Sequence, residues 1–288
     1  MKVLYFVGAT GGLGQEMAKG LATAQGFDAK VALVRSIGEK TKNLESFGWK
    51  VQQVDFNDLE GLVKAMPNAS VVVTTVSGPD FVDTEIKLIN AAKAAGASLY
   101  VPSQFGVDHR RWKPGFPFFV GKKVVMDHAE KVGLPTLAVY TGLFSDYVFA
   151  FLADLENMTA TLVDGGAGRF SFTKRSDIGY VLAKALADPE FANGGSLCIQ
   201  AETMPWREAL ALVEEVKGQK FTFTDLTGEE ALKQEQELLQ NGDMMGSFRL
   251  HLLGEPARGS LGCDTSEGAK SYGVELATLK QALEVTLL

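Results

Sequence analysis

Short apolar runs rich in β-branched and aromatic residues alternate with helical patterns through the first half of the chain. Residues 3–7, VLYFV, form the first run, which predicts a strand buried on both faces. Similar runs predict further strands over residues 30–35, 51–55, 71–76, 97–101 and 136–140. The helical spacing between them is clearest over residues 81–95, where Gly96 suits the position after the helix end. This alternation predicts parallel βαβ units and hence a doubly wound α/β sheet.

The regular alternation of predicted strands and helices becomes weaker after residue 150. Short strands are predicted over residues 161–163, 169–172, 196–200 and 221–224, and Pro205 suits the first turn of a helix. Residues 227–230, TGEE, form a capping box that predicts a helix to about Gln240, and a last helix is expected near 276–285. We therefore expect a nucleotide-binding domain over residues 1–150 and a smaller α/β substrate-binding region over 151–288, which partly returns to the main sheet.

A glycine-rich turn separates the first strand from the first helix. The turn has the spacing G-x-x-G-x-x-G, and its residues are Gly8, Thr10, Gly11, Gly12, Leu13 and Gly14. A strand, a glycine turn and a helix present bare backbone N–H groups and a helix N-terminus to an anion. This pattern predicts a Rossmann-type dinucleotide site, and the alternative is a purely structural turn.

The end of the second strand indicates which dinucleotide binds. An NAD site has an acidic residue there for the ribose hydroxyls, whereas this chain has Arg35, followed by Lys40 and Lys42. A cation suits a 2′-phosphate, so NADP(H) is the expected cofactor. The alternative is a solvated basic loop.

Two later strand ends are expected beside the cofactor, because ligands of such sheets bind at the carboxyl ends of the strands. The fourth strand ends at Thr75, Val76 and Ser77, and the fifth is followed by Ser103, Gln104 and Phe105. The basic residues of segment 109–113 could contact anions, or they could form a solvated turn.

Composition excludes several classes of protein. The 288 residues carry a net charge of −7, which disfavours a nucleic-acid partner. The two cysteines, Cys198 and Cys263, suggest buried thiols in a reducing compartment, and no apolar run is long enough to span a membrane. We therefore expect a cytoplasmic protein. The histidines His109, His128 and His251 have no ligand spacing, so no metal is predicted, and no G-x-S-x-G elbow supports a hydrolase.

A set of motifs in order identifies a family. The glycine turn, Arg35 after the second strand and PSQFG at 102–106 are followed by F-x-x-K at 119–122, eight residues before Glu130. GLP at 133–135 and F-x-x-Y at 144–147 come next. The chain resembles the NmrA-like, isoflavone-reductase-like branch of the short-chain dehydrogenase superfamily, in a form similar to fungal members. The likeness covers residues 1 to about 225 and is strongest over 1–150.

The resemblance implies roles for single residues. Lys122 matches the lysine that stands beside the nicotinamide as catalytic acid/base, although Lys123 is adjacent and a surface lysine is the alternative. Ser103, Phe105 and Phe144 match cofactor-lining positions. Tyr147 matches the substrate mouth, with ordinary core packing as the alternative. Gln104 departs from the glutamate of plant members, which puts the plant substrates in doubt more than the cofactor.

Tyr180 and Lys184 also fit Y-x-x-x-K, the catalytic pair of many short-chain dehydrogenases. The spacing puts both side chains on one helical face. They lie beyond the sixth strand, however, on a helix that the family uses structurally.

Two functions remain open. The first is a reductase that transfers hydride from NADPH to an apolar, aromatic or enone-type small molecule, with Lys122 managing the proton. Its apolar substrate residues would be Phe105, Phe118, Tyr147, Met244 and Met245, with Phe116 and Phe144 nearby. Residues 241–248 would be either a mobile lid or a plain loop. The second is a non-catalytic cofactor sensor of the NmrA type that binds a protein partner. A monomer or homodimer is expected.

Overall fold

The computed structural model describes residues 1–108, 110–111, 116–259 and 264–288. The expectations for His109, Trp112, Lys113 and Cys263 therefore concern residues outside the described part. The strands are β1 (Val3–Val7), β2 (Ala29–Val34), β3 (Lys50–Gln53), β4 (Ala69–Thr74), β5 (Leu99–Val101), β6 (Leu137–Tyr140), β7 (Leu143–Phe144), β8 (Ala153–Asp154), β9 (Thr159–Val163), β10 (Arg169–Thr173), β11 (Gly195–Cys198), β12 (Glu202–Pro205) and β13 (Thr222–Leu226).

The helices follow the strands in the alternation that the sequence predicts. They are α1 (Gly12–Leu21), α2 (Glu39–Ser46), α3 (Leu59–Ala65), α4 (Phe81–Ala94), α5 (Pro117–Lys131), α6 (Val148–Leu152), α7 (Arg175–Ala185), α8 (Trp206–Lys217), α9 (Gly228–Gln240), α10 (Met244–Gly254) and α11 (Leu279–Leu287). Short 3₁₀ turns lie at Asp164–Gly166, Pro189–Phe191 and Pro256–Arg258.

A parallel sheet in the order β3-β2-β1-β4-β5 forms the centre of the molecule. All five residues of β1 are buried, because Leu4 and Phe6 face one layer of helices while Tyr5 and its alternating neighbours face the other. Helices α1, α2 and α7 cover the first face, and α3, α4 and α5 cover the second. The doubly wound α/β fold predicted from the sequence is confirmed.

The second half of the chain contributes to this body. Strand β6 lies beside β5, where the Tyr100 N–H donates to the Pro135 carbonyl at 2.9 Å, and β11 pairs with β6 in parallel. Helix α7 packs along α1. The division at residue 150, with a second region that partly returns to the main sheet, stays a prediction; strand β11, beyond that point, pairs with β6.

The remaining elements surround a second apolar core. Strands β9 and β10, which follow one another in the chain, lie in separate sheets, β13-β9-β8 and β12-β10-β7. Trp206, Phe170 and Phe172 lie at the centre of this core, together with apolar side chains of α6, α8, α10 and α11. This smaller region stands at the carboxyl edge of the parallel sheet, since β7 directly follows β6.

Several local expectations are corrected by the structure. Lys40 and Lys42, for which a solvated loop was the alternative, lie on α2, and Met244 and Met245, expected in a lid or a loop, begin helix α10. The Asp243 carboxylate accepts a hydrogen bond from the Gly246 N–H at 2.9 Å and so caps α10. The short strands β7, β8 and β12 were not anticipated, because two to four residues carry too little periodicity.

Within the described residues, none of the helices has the length and apolar character needed to cross a membrane. The same part of the chain contains no group of three or more His, Cys, Asp or Glu side chains that could hold a metal ion.

Two glycines allow α1 and α7 to pack in close contact. A Cβ on Gly179 would lie 2.2 Å from the Met17 carbonyl oxygen, and one on Gly20 would lie 2.5 Å from the Tyr180 nitrogen. Both positions face backbone, which cannot move aside as the end of a side chain can. This contact fixes α1, and therefore the glycine turn that precedes it.

We predict that Gly179→Ala lowers the free energy of unfolding by about 1–3 kcal/mol, because the added methyl group separates two packed helices. Urea unfolding followed by circular dichroism measures the change. Gly38→Ala is the control, since Gly38 has an extended φ of −177° and no atom within 4 Å of its ideal Cβ. A Gly179→Ala protein as stable as the control would contradict the prediction.

Candidate functional site

The glycine turn is shaped by backbone contacts that side chains would block. Gly8 has a φ of +82°, and a Cβ there would lie 2.7 Å from Thr75 Oγ1. A Cβ on Gly14 would lie 2.1 Å from the Gly8 carbonyl oxygen, so the turn folds tightly against the start of α1. No side chain caps α1, and no acidic residue lies in its first turn. The helix N-terminus is therefore open to an anion, as a dinucleotide pyrophosphate requires.

A groove of about 490 Å³ runs from this turn along the carboxyl ends of β1, β2 and β4. Gly8, Thr10, Gly11 and Arg35 line it, together with Thr75, Val76 and Ser77. The Lys40 ammonium lies 3.5 Å from the Thr10 carbonyl oxygen, and the structure thus brings Lys40 beside the turn. Arg35 also lines a neighbouring pocket with residues 53–57, which extends the groove past the end of β3.

Two further residues of the groove were not anticipated. The Lys87 ammonium donates a hydrogen bond to Asn57 Oδ1 at 2.9 Å, and both residues line the groove. They come from α4 and from the turn after β3, two elements that only the folded sheet brings together.

A second cavity, of about 820 Å³, opens at the carboxyl edge of the sheet beside the groove. Its wall contains Met244, Met245 and nine aromatic side chains, which are Phe81, Phe105, Phe116, Phe118, Phe119, Phe144, Tyr147, Phe151 and Phe248. Ser77 and Pro79 line both the groove and this cavity. A ligand lying in the groove can therefore extend its far end into an apolar chamber.

Lys122 is the only charged side chain among the described residues that line the apolar cavity. It is 5% exposed, and its ammonium lies 5.1 Å from the centre of the Phe118 ring, one turn earlier on α5. Neither a hydrogen bond nor an ion pair joins the ammonium to another side chain in the described part of the chain. Burial in these surroundings lowers the pKa of Lys122 to about 8, and the charge of Glu85 acts in the opposite direction.

Glu85 was not anticipated as part of the site. It is 1% exposed on α4, and its carboxylate accepts hydrogen bonds from the Thr74 and Tyr100 hydroxyls, each at 2.6 Å. Burial raises the pKa of Glu85, whereas its hydrogen bonds and Lys122 lower it. The sequence does indicate that Glu85 is buried, because Glu85 lies four residues from both Phe81 and Ile89 on the apolar face of α4.

The loop after β5 places its three predicted residues differently. Phe105 lines the apolar cavity, while Ser103 donates its N–H to Glu85 at 3.2 Å. Gln104 is buried, and its side-chain amide donates to the Lys122 carbonyl oxygen at 3.0 Å. Gln104 thus lines neither groove nor cavity, and its observed contact is with the backbone of α5 rather than with the space for a cofactor.

Two arginines of the basic segment after this loop, Arg110 and Arg111, are described, and both form internal ion pairs. Arg110 binds the buried Asp108 through two nitrogens, at 2.9 and 2.7 Å. Arg111 pairs with Glu267 and donates to the Asp264 carbonyl oxygen at 3.2 Å. These two arginines therefore follow the turn interpretation.

Arg175 begins α7, whereas Tyr180 of the Y-x-x-x-K pair lies at the middle of this helix and Lys184 near its end. Arg175 Nη1 is 3.8 Å from the position that a Cβ would take on Gly12, and its Nε donates to Asp146 at 3.0 Å. It adds a cation beside the glycine turn that the sequence analysis did not anticipate. Tyr180 packs at Gly20, near the other end of α1, so Tyr180 and Lys184 are away from the groove.

Comparison with known proteins shows the family of the chain. A model of the NmrA-like family matches residues 1–257. An isoflavone reductase homolog of Arabidopsis thaliana is 30% identical over 251 residues, which are 80% of each chain. A phenylcoumaran benzylic ether reductase of Ginkgo biloba is 28% identical over 289 residues, 93% of each chain. Both are plant proteins, so the expected similarity to fungal members is not supported.

Solved structures share the fold. The complex of leucoanthocyanidin reductase with NADPH from Vitis vinifera superposes with a TM-score of 0.82, at 21% identity, over 100% of this chain and 99% of that one. A structure of AtPrR2 with NADP⁺ and (+)-pinoresinol gives 0.78 at 22% identity, over 98% of each chain. At such identities the likeness establishes the architecture alone.

We predict that the Lys122 ammonium titrates near pH 8 in the folded protein, because burial penalises its charged form. The unfolded chain then holds more protons than the folded one between this pH and the ordinary lysine value. The cost of burying the charged lysine therefore lowers the free energy of unfolding in full below pH 8. The free energy of unfolding increases again as the pH rises above this value. Lysine side-chain ¹³C NMR measures the titration, with the signal assigned by its loss in Lys122→Arg. A midpoint above pH 10 would contradict the prediction.

Proposed function

The chain belongs to the NmrA-like family, and from this premise we propose that it is a reductase that transfers hydride from NADPH to an apolar, aromatic or enone-type small molecule. The relatives support the coarser part of the proposal. They include an isoflavone reductase homolog and a benzylic ether reductase, and matching structures contain NADPH or NADP⁺. The NADP-dependent oxidoreductase expected from the sequence agrees with them.

One observation carries the proposal furthest: a single buried ammonium lies in an apolar chamber that adjoins the dinucleotide groove at Ser77 and Pro79. A lysine placed only for stability would extend its charge to solvent, as the neighbouring Lys123 does in its ion pair with Asp127 at 2.6 Å. The Lys122 ammonium is instead buried, which lowers its pKa. Side chains whose pKa is shifted by burial occur often at functional sites.

The groove fits the proposed cofactor. The uncapped start of α1 and the tight glycine turn suit a pyrophosphate, while Arg35 and Lys40 suit a 2′-phosphate at the end of β2. When bound, NADPH supplies the hydride. Ser77, which lines both spaces, and Phe105 and Phe144 in the cavity wall are the residues that would hold its nicotinamide end.

The chain's own residues then act on the substrate oxygen. Negative charge develops there as hydride arrives, and the Lys122 ammonium can stabilise that charge or donate a proton to it. The surrounding rings exclude water and so strengthen the interaction. The Phe118 ring beneath the ammonium provides a cation–π contact that holds it in place.

The lining indicates the class of substrate. Aromatic rings and the two methionines provide stacking and adaptable apolar contacts, and one cation is available for one oxygen. This suits an aromatic molecule with a carbonyl, enone or benzylic oxygen. The complex of AtPrR2 with (+)-pinoresinol provides a precedent for an aromatic ligand on this fold.

We predict that Lys122→Met lowers kcat/KM by about 10²–10⁴-fold on whichever aryl ketone, enone or benzylic ether is reduced, because the proton donor is lost. In the wild type, kcat/KM should decline above about pH 8, as the ammonium loses its proton. NADPH consumption at 340 nm measures both.

Lys123→Met is the matched control, since it removes the neighbouring exposed lysine from the same helix. Equal rates for Lys122→Met and the wild type would remove Lys122 from the mechanism. Tight NADP(H) binding without turnover on any substrate would favour the cofactor sensor.

We predict that Arg35→Ala weakens NADPH binding about tenfold, the loss expected for one solvent-exposed charged hydrogen bond, and leaves NADH binding nearly unchanged. Calorimetric titration of both coenzymes measures the difference. Equal losses for NADPH and NADH would show that Arg35 does not bind the 2′-phosphate.

A further inference from the structure

The first residue of α7 lies beside the start of α1. Arg175 Nη1 is 3.8 Å from the position that a Cβ would take on Gly12, the first residue of α1. Further along the same two helices, a Cβ on Gly20 would lie 2.5 Å from the Tyr180 nitrogen. The two contacts advance in the same direction along both helices, so α1 and α7 run parallel and begin at the same end. Arg175 therefore lies at the uncapped N-terminus of α1, where backbone N–H groups are left for an anion.

A buried carboxylate orients the Arg175 side chain. Asp146 is 9% exposed, and its Oδ2 accepts a hydrogen bond from Arg175 Nε at 3.0 Å. Its Oδ1 accepts one from the Arg175 backbone N–H at 3.3 Å. Because the main chain and the side chain of Arg175 bind the same carboxylate, the guanidinium is oriented before any ligand arrives. Such preorganisation reduces the entropy that is lost on binding.

The two outer nitrogens of the guanidinium remain available. An arginine side chain has five N–H donors, and Asp146 uses the one on Nε. Within the described part of the chain, no residue accepts a hydrogen bond from Arg175 Nη1 or Nη2, and the side chain is 19% exposed. Four N–H donors are therefore left for a ligand or for water. A planar guanidinium with free donors matches the oxygens of phosphate groups.

Arg175 also contacts the wall of the apolar cavity. Its Cζ lies 5.6 Å from the centre of the Tyr147 ring, and Tyr147 lines that cavity. Gly12, the other neighbour of Arg175, directly follows Gly11, which lines the dinucleotide groove. Arg175 lines neither space, and it lies between a residue of the cavity and the turn that borders the groove. The part of NADPH that joins its two nucleotide halves is the diphosphate, and this part is the one expected here.

We propose that Arg175 is a binding residue for the coenzyme diphosphate and that Asp146 is its positioning residue. The inference rests on the proposed function through its cofactor, NADP(H). The backbone N–H groups at the start of α1 and the outer nitrogens of Arg175 would together neutralise the diphosphate charge. Arg35 has a separate role at the 2′-phosphate, so the two arginines would bind different phosphates of one molecule.

The test is Arg175→Gln, which removes the charge and keeps most of the side chain. We expect NADP⁺ to bind about tenfold more weakly, the loss typical of one charged hydrogen bond. In contrast, 2′-AMP should bind as it does to the wild type, because it has no diphosphate. Arg35→Ala should weaken the binding of both ligands, since both carry the 2′-phosphate. Calorimetric titration with NADP⁺ and with 2′-AMP measures the four affinities.

Arg207→Gln is the matched control, because Arg207 also lies against an aromatic ring, with its Cζ 3.8 Å from the centre of the Phe223 ring. It belongs to α8, beside Gly166, and its loss should change neither affinity. The proposal is wrong if Arg175→Gln binds NADP⁺ as tightly as the wild type, or if it loses affinity for NADP⁺ and 2′-AMP equally. A wild type that binds no NADP⁺ would contradict the proposed function, and this inference with it.

A measurement on the wild-type chain keeps the proposal testable if Arg175→Gln does not fold. Phenylglyoxal modifies arginine side chains, and peptide mass spectrometry gives the rate at Arg175 relative to the exposed Arg169. NADP⁺ should slow the modification of Arg175 severalfold, because its outer nitrogens are then covered, whereas 2′-AMP should not. An equal rate at Arg175 with and without NADP⁺ would also overturn the proposal.

Discussion

The desolvation of one ammonium is the constraint on which the candidate site depends. Lys122 is 5% exposed among aromatic rings, where a charge is stable only if fixed groups replace the water it has lost. The Phe118 ring of the same helix lies 5.1 Å from the ammonium, and the buried carboxyl group of Glu85 on α4 accepts hydrogen bonds from β4, β5 and the loop after β5. A buried lysine side chain thus lies inside an apolar chamber.

The topology of the sheet brings this chamber to the dinucleotide groove. In a parallel sheet all carboxyl ends meet at one edge, so the glycine turn after β1 and the residues after β4 and β5 lie side by side. Ser77 and Pro79, which follow β4, line both the groove and the cavity. The site is thus a consequence of strand order, with each residue close to the end of a strand or the start of a helix.

The second half of the chain completes the site from two sides. Helix α7 packs on α1 through Gly20 and Gly179, and it carries Arg175 to the start of α1. Helix α10 closes the apolar cavity with Met244, Met245 and Phe248, where a loop had been expected. The Asp243 carboxylate caps this helix, so both methionines lie in its first turn.

The sequence by itself determined the central strands and the glycine turn with Arg35 after β2, because periodicity and turn chemistry are local properties. Lys122 was indicated by its resemblance to a family motif, and its role stays a prediction. The sequence did not determine that Gln104 binds the backbone of α5, or that Glu85 and Arg175 belong beside the site. Those roles depend on side chains from distant segments meeting in three dimensions. Only the tertiary structure decided them, because the partners that surround a buried polar or charged side chain come from segments that are distant in the sequence.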